Sequence, residues 1–141
     1  MTKVVIDSSV AIKWLNQKDE KNLQQAEALF LKAVKDNTIQ LLTPELAKYE
    51  VGNVLSVAKK LEDKLLSEAL KFFYSIPIKF IRDSLELSQI ATKIVKDYNI
   101  TYYDAAFLSL AKQENATLVT DNPKHQAKIK GVKVVALKDY K

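Results

Sequence analysis

Two acidic residues stand where the sequence predicts the ends of buried strands. Asp7 directly follows the apolar run of residues 3–6, and Asp121 directly follows the run of residues 117–120. In an open parallel sheet, ligands bind beyond the carboxyl ends of the strands, so both side chains are expected at the same edge. Each acid is also of a type that caps a helix N-terminus, and position alone leaves that role open.

Two further acids share a helical face with apolar residues. The face of Glu50 carries Leu46, Asn53, Val54, Val57 and Leu61, and that of Asp104 carries Phe107, Leu108 and Ala111. A buried carboxylate is costly unless it is paired or binds a metal. A buried ion pair with a lysine is the structural alternative for both. Asp104 could also be a simple first-turn acid, which the helix dipole favours.

Carboxylates without thiols favour a hard divalent cation at this edge. The chain has no cysteine and one histidine, and Mg²⁺ and Mn²⁺ prefer oxygen ligands. The net charge of +5, almost all of it from lysine, suits a polyanion such as nucleic acid, although lysines also solvate ordinary helix faces. An acidic metal site in a basic protein indicates phosphodiester hydrolysis, in which the metal activates water and neutralises phosphate charge.

Short apolar runs alternate with longer amphipathic ones and predict the elements that position these acids. Strands are expected at residues 3–6, 39–42, 76–81, 117–120 and 132–137, and helices at 8–17, 20–36, 44–60, 66–75, 83–97 and 103–114. This alternation indicates a parallel sheet covered on both faces. The predicted fold class is α/β, with a central parallel β-sheet of four to five strands flanked by helices. One domain over residues 1–141 is expected.

Capping patterns predict the starts of two helices. Pro44 is well suited to the first helical turn, so Thr43 is the expected N-cap of the helix at 44–60. Asp83 is expected to cap the helix at 83–97, with Glu86 three residues later as its capping-box partner.

The sequence contains no apolar segment typical of secretion or of a membrane span. The N-terminus, MTKVVIDSS, lacks the apolar stretch of a signal peptide, and no run approaches the roughly 20 apolar residues that cross a bilayer. The absence of cysteine fits a reducing compartment. A cytoplasmic protein without a membrane partner is therefore expected.

Three segments that contain these acids resemble the motifs of one nuclease family. They are residues 6–14 (IDSSVAIKW), 49–55 (YEVGNVL) and 101–111 (TYYDAAFLSLA). In their order and spacing they resemble the PIN-domain nucleases, and more narrowly the VapC-type toxins of toxin–antitoxin pairs. The resemblance spans essentially the whole chain, and the third segment is the most specific.

This resemblance implies an endoribonuclease that depends on Mg²⁺ or Mn²⁺ and hydrolyses RNA phosphodiester bonds. Members of the family are often dimeric, so a homodimer is expected. A cognate antitoxin protein is the expected inhibitor.

The resemblance also implies roles for individual residues. Asp7 and Asp104 would be direct metal ligands, and Glu50 would bind the metal directly or through water. The supporting residues would be Ser9 and Asn53, through hydrogen bonds, and Thr120, which would shape the adjacent strand end.

The chain departs from the family pattern at the last motif. That motif usually reads threonine, any residue, aspartate, whereas this chain has Thr120, Asp121 and Asn122. Either Asp121 supplies the fourth acid after a local backbone adjustment, or the site has three carboxylates and a neutral Asn122. The chemistry prefers an anion, and Pro123 restricts Asn122 to an extended backbone that could aid the turn. We therefore expect Asp121 to be the fourth catalytic and metal-binding acid.

Other functional classes fit the sequence less well. A nucleotide-triphosphate hydrolase needs a glycine-rich phosphate loop, and the chain has only Gly52 and Gly131. A phosphoacceptor receiver domain needs an acid pair near the first strand, where Asp7 stands alone. The open alternative is a non-catalytic RNA-binding or protein-interaction domain that keeps the fold and has lost turnover through Asn122.

Overall fold

The computed structural model describes residues 1–126 and 129–141, and this part of the chain contains five strands and six α-helices. The strands are β1 (Thr2–Ile6), β2 (Ile39–Pro44), β3 (Ile78–Ile81), β4 (Thr117–Thr120) and β5 (Val134–Ala136). The helices are α1 (Ser8–Leu15), α2 (Leu23–Val34), α3 (Leu46–Asn53), α4 (Asp63–Ser75), α5 (Leu85–Tyr98) and α6 (Tyr102–Gln113). A π-helical turn, Val54–Ala58, extends α3, and 3₁₀ turns cover Pro123–His125 and Leu137–Asp139. None of the helices within these described ranges is long and apolar enough to cross a membrane.

All five strands are parallel and lie in the order β3-β2-β1-β4-β5. Strand β1 is central, because Val4 pairs with Leu41 of β2 on one side and with Thr117 of β4 on the other. The chain first builds outward from β1 to β3 and then returns to add β4 and β5 on the opposite side. The strand order therefore reverses between β1 and β4, where ligands of such sheets bind. The predicted parallel α/β fold is confirmed.

Helices cover both faces of the sheet and create two apolar cores. Alternate residues of β1 point to opposite faces, so Val4 and Ile6 enter the core that contains Leu29 and Phe73, from α2 and α4. Val5 enters the other core, which contains the buried residues of α5 and α6. Burial on both sides explains why the inner strands read as continuous apolar runs in the sequence.

The predicted N-cap role of Thr43 is wrong, because β2 continues through Pro44 and α3 starts at Leu46. Thr43 is buried, and its hydroxyl donates a hydrogen bond of 2.8 Å to the carbonyl of Ile6. The side chain thus links the ends of β1 and β2. Pro44 is the last residue of β2, and the amide of the next residue, Glu45, donates a hydrogen bond of 3.0 Å to the Ile81 carbonyl at the end of β3.

The cap of α5 is displaced by one residue from the prediction. The Ser84 side chain, rather than that of Asp83, accepts the hydrogen bond from the Leu87 amide, at 3.1 Å. Asp83 instead accepts a hydrogen bond of 2.9 Å from the Ser84 amide. Serine and aspartate are both good caps, so the sequence supplied two adjacent candidates.

Candidate metal centre at the carboxyl edge of the sheet

The candidate site lies where the two central strands end. The amide of Asp7, the residue after β1, donates a hydrogen bond of 3.0 Å to the carbonyl of Val119 in β4. Asp7 has an extended backbone at the N-cap position of α1, but its side chain forms no cap hydrogen bond. The carboxylate is therefore free of a capping role and can bind a ligand at the edge of the sheet, where the strand order reverses.

Two hydroxyl groups hold the Asp7 carboxylate. Ser9 Oγ donates to Asp7 Oδ2 at 2.7 Å, and Thr120 Oγ1 donates to the same oxygen at 3.0 Å. Burial raises the pKa of Asp7 above its usual range; the hydrogen bonds from both hydroxyls oppose this rise, and the negative charge of Asp104 adds to it. The supporting positions predicted for Ser9 and Thr120 are thus next to Asp7.

Glu50 approaches from α3 and is held by a third hydroxyl. Ser8 Oγ donates to Glu50 Oε1 at 2.7 Å. Burial raises the pKa of Glu50, the Ser8 hydrogen bond lowers it, and the negative charges of Asp7 and Asp104 raise it further. The three carboxylates are therefore close enough to repel one another electrostatically.

The buried face of the Glu50 helix differs from the predicted one. It consists of Ala47, Val51 and Leu55, whereas Val57, predicted to face inward, is 61% exposed. Glu50 is half-buried at the margin of this face. Ala47 lies in the core that contains Val5, whereas Val51 and Leu55 lie in the core that contains Val4 and Ile6.

Asp104 lies in the first turn of α6, and the N-cap of this helix is Thr101. Thr101 Oγ1 accepts the hydrogen bond from the Asp104 amide at 3.1 Å. The carbonyl of Asp104 accepts a hydrogen bond of 3.4 Å from the buried side chain of Gln126. These backbone contacts fix the start of α6, and the Asp104 carboxylate acts electrostatically on Asp7 and Glu50.

Within residues 1–126 and 129–141, none of these three carboxylates has a lysine or arginine nitrogen within 4.0 Å. The ion pair with a lysine that could have explained Glu50 or Asp104 is therefore absent from the described part of the chain. Among the described residues, the hydroxyls of Ser8, Ser9 and Thr120 and the backbone of Ser8 donate the hydrogen bonds that favour the charged forms of Asp7 and Glu50.

Asp121 makes different contacts. Its Oδ2 lies 3.0 Å from Lys13 Nζ, and its Oδ1 accepts a hydrogen bond of 3.0 Å from Asn22 Nδ2. The neighbouring Asn122 is exposed, and its amide donates to Thr120 Oγ1 at 3.2 Å. The structure thus brings Asp7, Glu50 and Asp104 into one electrostatic group, while the Asp121 carboxylate binds a lysine and an asparagine.

Comparison with known proteins decides the family. Residues 4–131 match the PIN domain. The chain belongs to the PIN domain family. A comparison with curated proteins gave no match.

Solved structures similar to this PIN domain include several toxin–antitoxin proteins. VapBC2 of Rickettsia felis bound to a DNA fragment from its promoter has a TM-score of 0.74 and 17% identity, over 96% of this chain and 98% of that chain. DNA-bound VapBC of Salmonella typhimurium has a TM-score of 0.68 and 14% identity, over 97% and 99% of the two chains. VapC20 of Mycobacterium tuberculosis, a toxin that cleaves the sarcin-ricin loop, has a TM-score of 0.63 and 13% identity, over 84% and 87%. At these identities the likeness establishes the fold.

The donor set of the PIN domain fits a hard cation. As the side chains are placed in the described residues, no three histidine, cysteine, aspartate or glutamate groups form a ready-made metal site. Coordination by Asp7, Glu50 and Asp104 together would therefore require side-chain movement or bridging water. Their oxygen donors, the raised pKa of Asp7 and Glu50, and the shared negative field nevertheless suit Mg²⁺ or Mn²⁺.

One predicted supporting residue, Asn53, forms no side-chain hydrogen bond to the site among the described residues, and several residues near the site were not predicted. Asn53 is exposed at the last position of α3, and its side chain forms no hydrogen bond within the described residues. Sequence reasoning missed Ser8 and Gln126, whose types are common on any surface. Lys13 was also missed, although a single charge inside the apolar run at residues 10–15 is a signal of a buried cation.

Proposed function

We propose that this PIN domain is a metal-dependent endoribonuclease, the toxin of a toxin–antitoxin pair, and that it hydrolyses RNA phosphodiester bonds. The observation that carries the proposal is the group formed by Asp7, Glu50 and Asp104. These acids act on one another electrostatically at the switch point of a parallel sheet, without a cationic side chain within salt-bridge distance in the described residues. A divalent cation would supply the missing positive charge.

Asp7, Glu50 and Asp104 would hold the Mg²⁺ or Mn²⁺ ion. When bound, such an ion activates water for attack on phosphorus and stabilises charge on the phosphate and the leaving oxygen. Carboxylates with raised pKa values bind protons more readily than ordinary ones, so metal binding would displace any remaining proton from them and would strengthen with pH.

The chain's own hydrogen bonds would preorganise the ligands. Ser9 and Thr120 fix Asp7 Oδ2, and Ser8 fixes Glu50 Oε1. Hydrogen bonds of this kind set the orientation of metal-binding carboxylates and are typically worth about 10- to 100-fold in affinity or activity. Thr101 would contribute indirectly, because it caps the helix that carries Asp104.

The role predicted for Asp121 as a fourth ligand stays a prediction. To reach the ion directly, its carboxylate would have to give up contacts with Lys13 and Asn22. The structure supports a centre of three carboxylates more strongly than one of four.

Two features support RNA as the substrate. The net charge of +5 favours association with a polyanion, and Tyr103, which is 61% exposed, directly precedes Asp104. Together with the partly exposed Tyr102 it offers aromatic surface on which unpaired bases can stack. Single-stranded or looped RNA is therefore the expected substrate.

An antitoxin protein is the proposed partner, and a homodimer is the proposed assembly. Similar structures include toxin–antitoxin complexes from Rickettsia felis and Klebsiella pneumoniae. Helix α4 exposes the large apolar side chains of Leu65, Phe72 and Tyr74, a composition typical of protein-binding surfaces. We place this activity in the cytoplasm, where RNA is available.

The proposal is tested by RNA cleavage with a structured single-chain RNA, in EDTA and after addition of Mn²⁺ or Mg²⁺. We expect cleavage to be lost in EDTA, to return with either ion and to be abolished by Asp7→Asn. The matched control is Asp97→Asn, which removes an exposed helical acid that pairs with Lys93 and should leave the rate unchanged.

Cleavage that persists after exhaustive chelation would refute the metal mechanism. RNA binding without cleavage, unaffected by Asp7→Asn, would favour the non-catalytic alternative, in which Asn122 marks the lost activity.

A further inference from the structure

Helix α1 carries a buried cation next to the candidate metal centre. The Lys13 side chain is 1% exposed, and the preceding residues Val10, Ala11 and Ile12 are buried as well. An ammonium group in such a place is strongly destabilising unless carboxylates accompany it. Asp121 Oδ2 lies 3.0 Å from Lys13 Nζ, and Glu20 Oε1 lies 3.1 Å from the same atom.

These contacts extend into an ion chain of alternating charge, Asp121–Lys13–Glu20–Lys59. Lys59 Nζ lies 3.0 Å from Glu20 Oε2, so every charge of the ion chain has an opposite neighbour. Asn22 Nδ2 donates a hydrogen bond of 3.0 Å to the other carboxylate oxygen of Asp121, Oδ1. The ion chain ties α1, the loop before α2 and the end of β4 to one another.

The Asp121 end of the ion chain is connected to the metal centre through its backbone. The Asp121 amide donates to Ser9 Oγ at 3.1 Å, and Ser9 Oγ donates its own proton to Asp7 Oδ2 at 2.7 Å. Because Ser9 Oγ has a single proton, acceptance from the Asp121 amide directs that proton to Asp7. A path of three contacts therefore runs from the Lys13 ammonium to the Asp7 carboxylate.

We propose that Lys13 is a positioning residue for the metal ligand Asp7, and that it acts through Asp121 and Ser9. The ammonium fixes Asp121 by its side chain, the amide of Asp121 orients the Ser9 hydroxyl, and that hydroxyl orients Asp7. This inference rests on the proposed metal-binding function of Asp7. It assigns the Asp121 carboxylate to Lys13 and not to the metal.

The alternative, in which Asp121 is the fourth metal ligand, makes the opposite prediction. If Lys13 and the ion competed for the Asp121 carboxylate, removal of the ammonium would release that carboxylate and strengthen metal binding. If Lys13 positions Asp7, removal of the ammonium weakens metal binding. The sign of the change in Mn²⁺ affinity therefore separates the two roles.

The experiment is a Mn²⁺ titration of the full chain by isothermal calorimetry, without RNA, at a temperature where circular dichroism shows each variant folded. We expect Lys13→Met to weaken Mn²⁺ binding by about tenfold or more, the size typical of residues that orient metal ligands. Ser9→Ala should weaken it similarly. The double variant should be no weaker than either single one, because both residues act along the same path.

The matched control is Glu20→Gln. The Glu20 carboxylate contacts the same ammonium, but its other contact is Lys59 and not Ser9. This variant should lose stability while its Mn²⁺ affinity stays within about twofold of the wild type. Only substitutions that break a contact between Lys13, Asp121, Ser9 and Asp7 should change the affinity.

Asp121→Asn gives an independent measurement should Lys13→Met fail to fold. Asparagine keeps the amide that donates to Ser9 and an oxygen for Lys13, so Mn²⁺ binding should weaken by less than about threefold. A loss of about tenfold or more would identify Asp121 as a ligand and overturn the proposal.

An unchanged or raised Mn²⁺ affinity in Lys13→Met would also overturn the proposal that Lys13 positions Asp7. Failure of the underlying function is a separate result, because the wild-type protein itself would then bind no Mn²⁺.

Discussion

The buried ammonium of Lys13 leads to a quantitative prediction for stability. Its nitrogen lies 3.0 Å from Asp121 Oδ2 and 3.1 Å from Glu20 Oε1. At an effective dielectric constant of about 20, each contact contributes about 5 kcal/mol of Coulomb attraction. The cost of removing the ammonium from water offsets much of this sum, which is why the net value is smaller than the attraction alone.

The change that tests this reasoning is Lys13→Met. Methionine has a similar length and is apolar, so it leaves no cavity. It leaves the Asp121 carboxylate without the ammonium, whereas Glu20 keeps its contact with Lys59. Removing one partner of a buried pair costs roughly 3–5 kcal/mol. Asp121 and Glu20 have side chains that are 26% and 19% exposed and can regain some hydration. We therefore expect Lys13→Met to lower the free energy of unfolding by about 3 kcal/mol, the lower end of this range. The melting temperature should fall by roughly 10 °C.

The assay is urea unfolding in EDTA at pH 7, followed by circular dichroism. The m-value, which is the slope of the unfolding free energy against urea concentration, should be the same for all variants. Lys3→Met is the reference. Lys3 Nζ lies 2.8 Å from Glu114 Oε2, but the Lys3 side chain is 43% exposed, so its loss should cost less than about 1 kcal/mol. Equal losses in the two variants would show that burial of Lys13 adds nothing, and would refute the reasoning.

Three further variants test other features of the protein. Glu50→Gln should stabilise the metal-free protein. Burial and neighbouring charges raise the pKa of Glu50 in the folded state, so its ionisation opposes folding as the pH rises above 4.5, the ordinary pKa of glutamate. The gain in melting temperature in EDTA should therefore be absent at pH 3 and present at pH 8, and a loss at pH 8 would contradict this sign. Asn122→Asp should leave Mn²⁺ affinity within about threefold, since Asn122 is exposed; calorimetry that shows a gain of about tenfold would instead place position 122 at the metal. Thr43→Val should cost about 1–3 kcal/mol in urea unfolding, because it removes the buried donor to the Ile6 carbonyl, and an unchanged midpoint would show that this bond between strand ends is dispensable.

The strands and the acids at their ends could be predicted because their signal is local. An apolar run followed directly by Asp7 or Asp121 specifies both the strand and the edge on which the acid lies. Likewise, Asp104 falls in the first turn of a helix whose amphipathic pattern is visible in the sequence. These features depend on neighbours within a few residues.

The direction of individual side chains could not be predicted because it depends on distant contacts. Lys13 meets Asp121, which is 108 positions away in the chain (121 − 13), and no local pattern identifies this partner. For Glu50, the helical pattern predicts an inward face with Val57, whereas packing against both cores buries Ala47, Val51 and Leu55. Thr43 likewise bonds to Ile6 across a strand pair, so its capping preference had no effect.

The central position of β1 has a consequence for biosynthesis. Strand β1 is synthesised before β4 and gains its second neighbour in the sheet only when β4 pairs with it, as Val5 does with Leu118. At the usual elongation rate of about 5–20 residues per second, β4 follows β1 by roughly 6–25 seconds. During that interval Asp7 lacks the hydroxyl of Thr120 and the backbone of Asp121 that hold it in the folded chain. The Asp7 side chain is therefore expected to reach its final orientation only after residues 117–121 have been synthesised and have paired with β1.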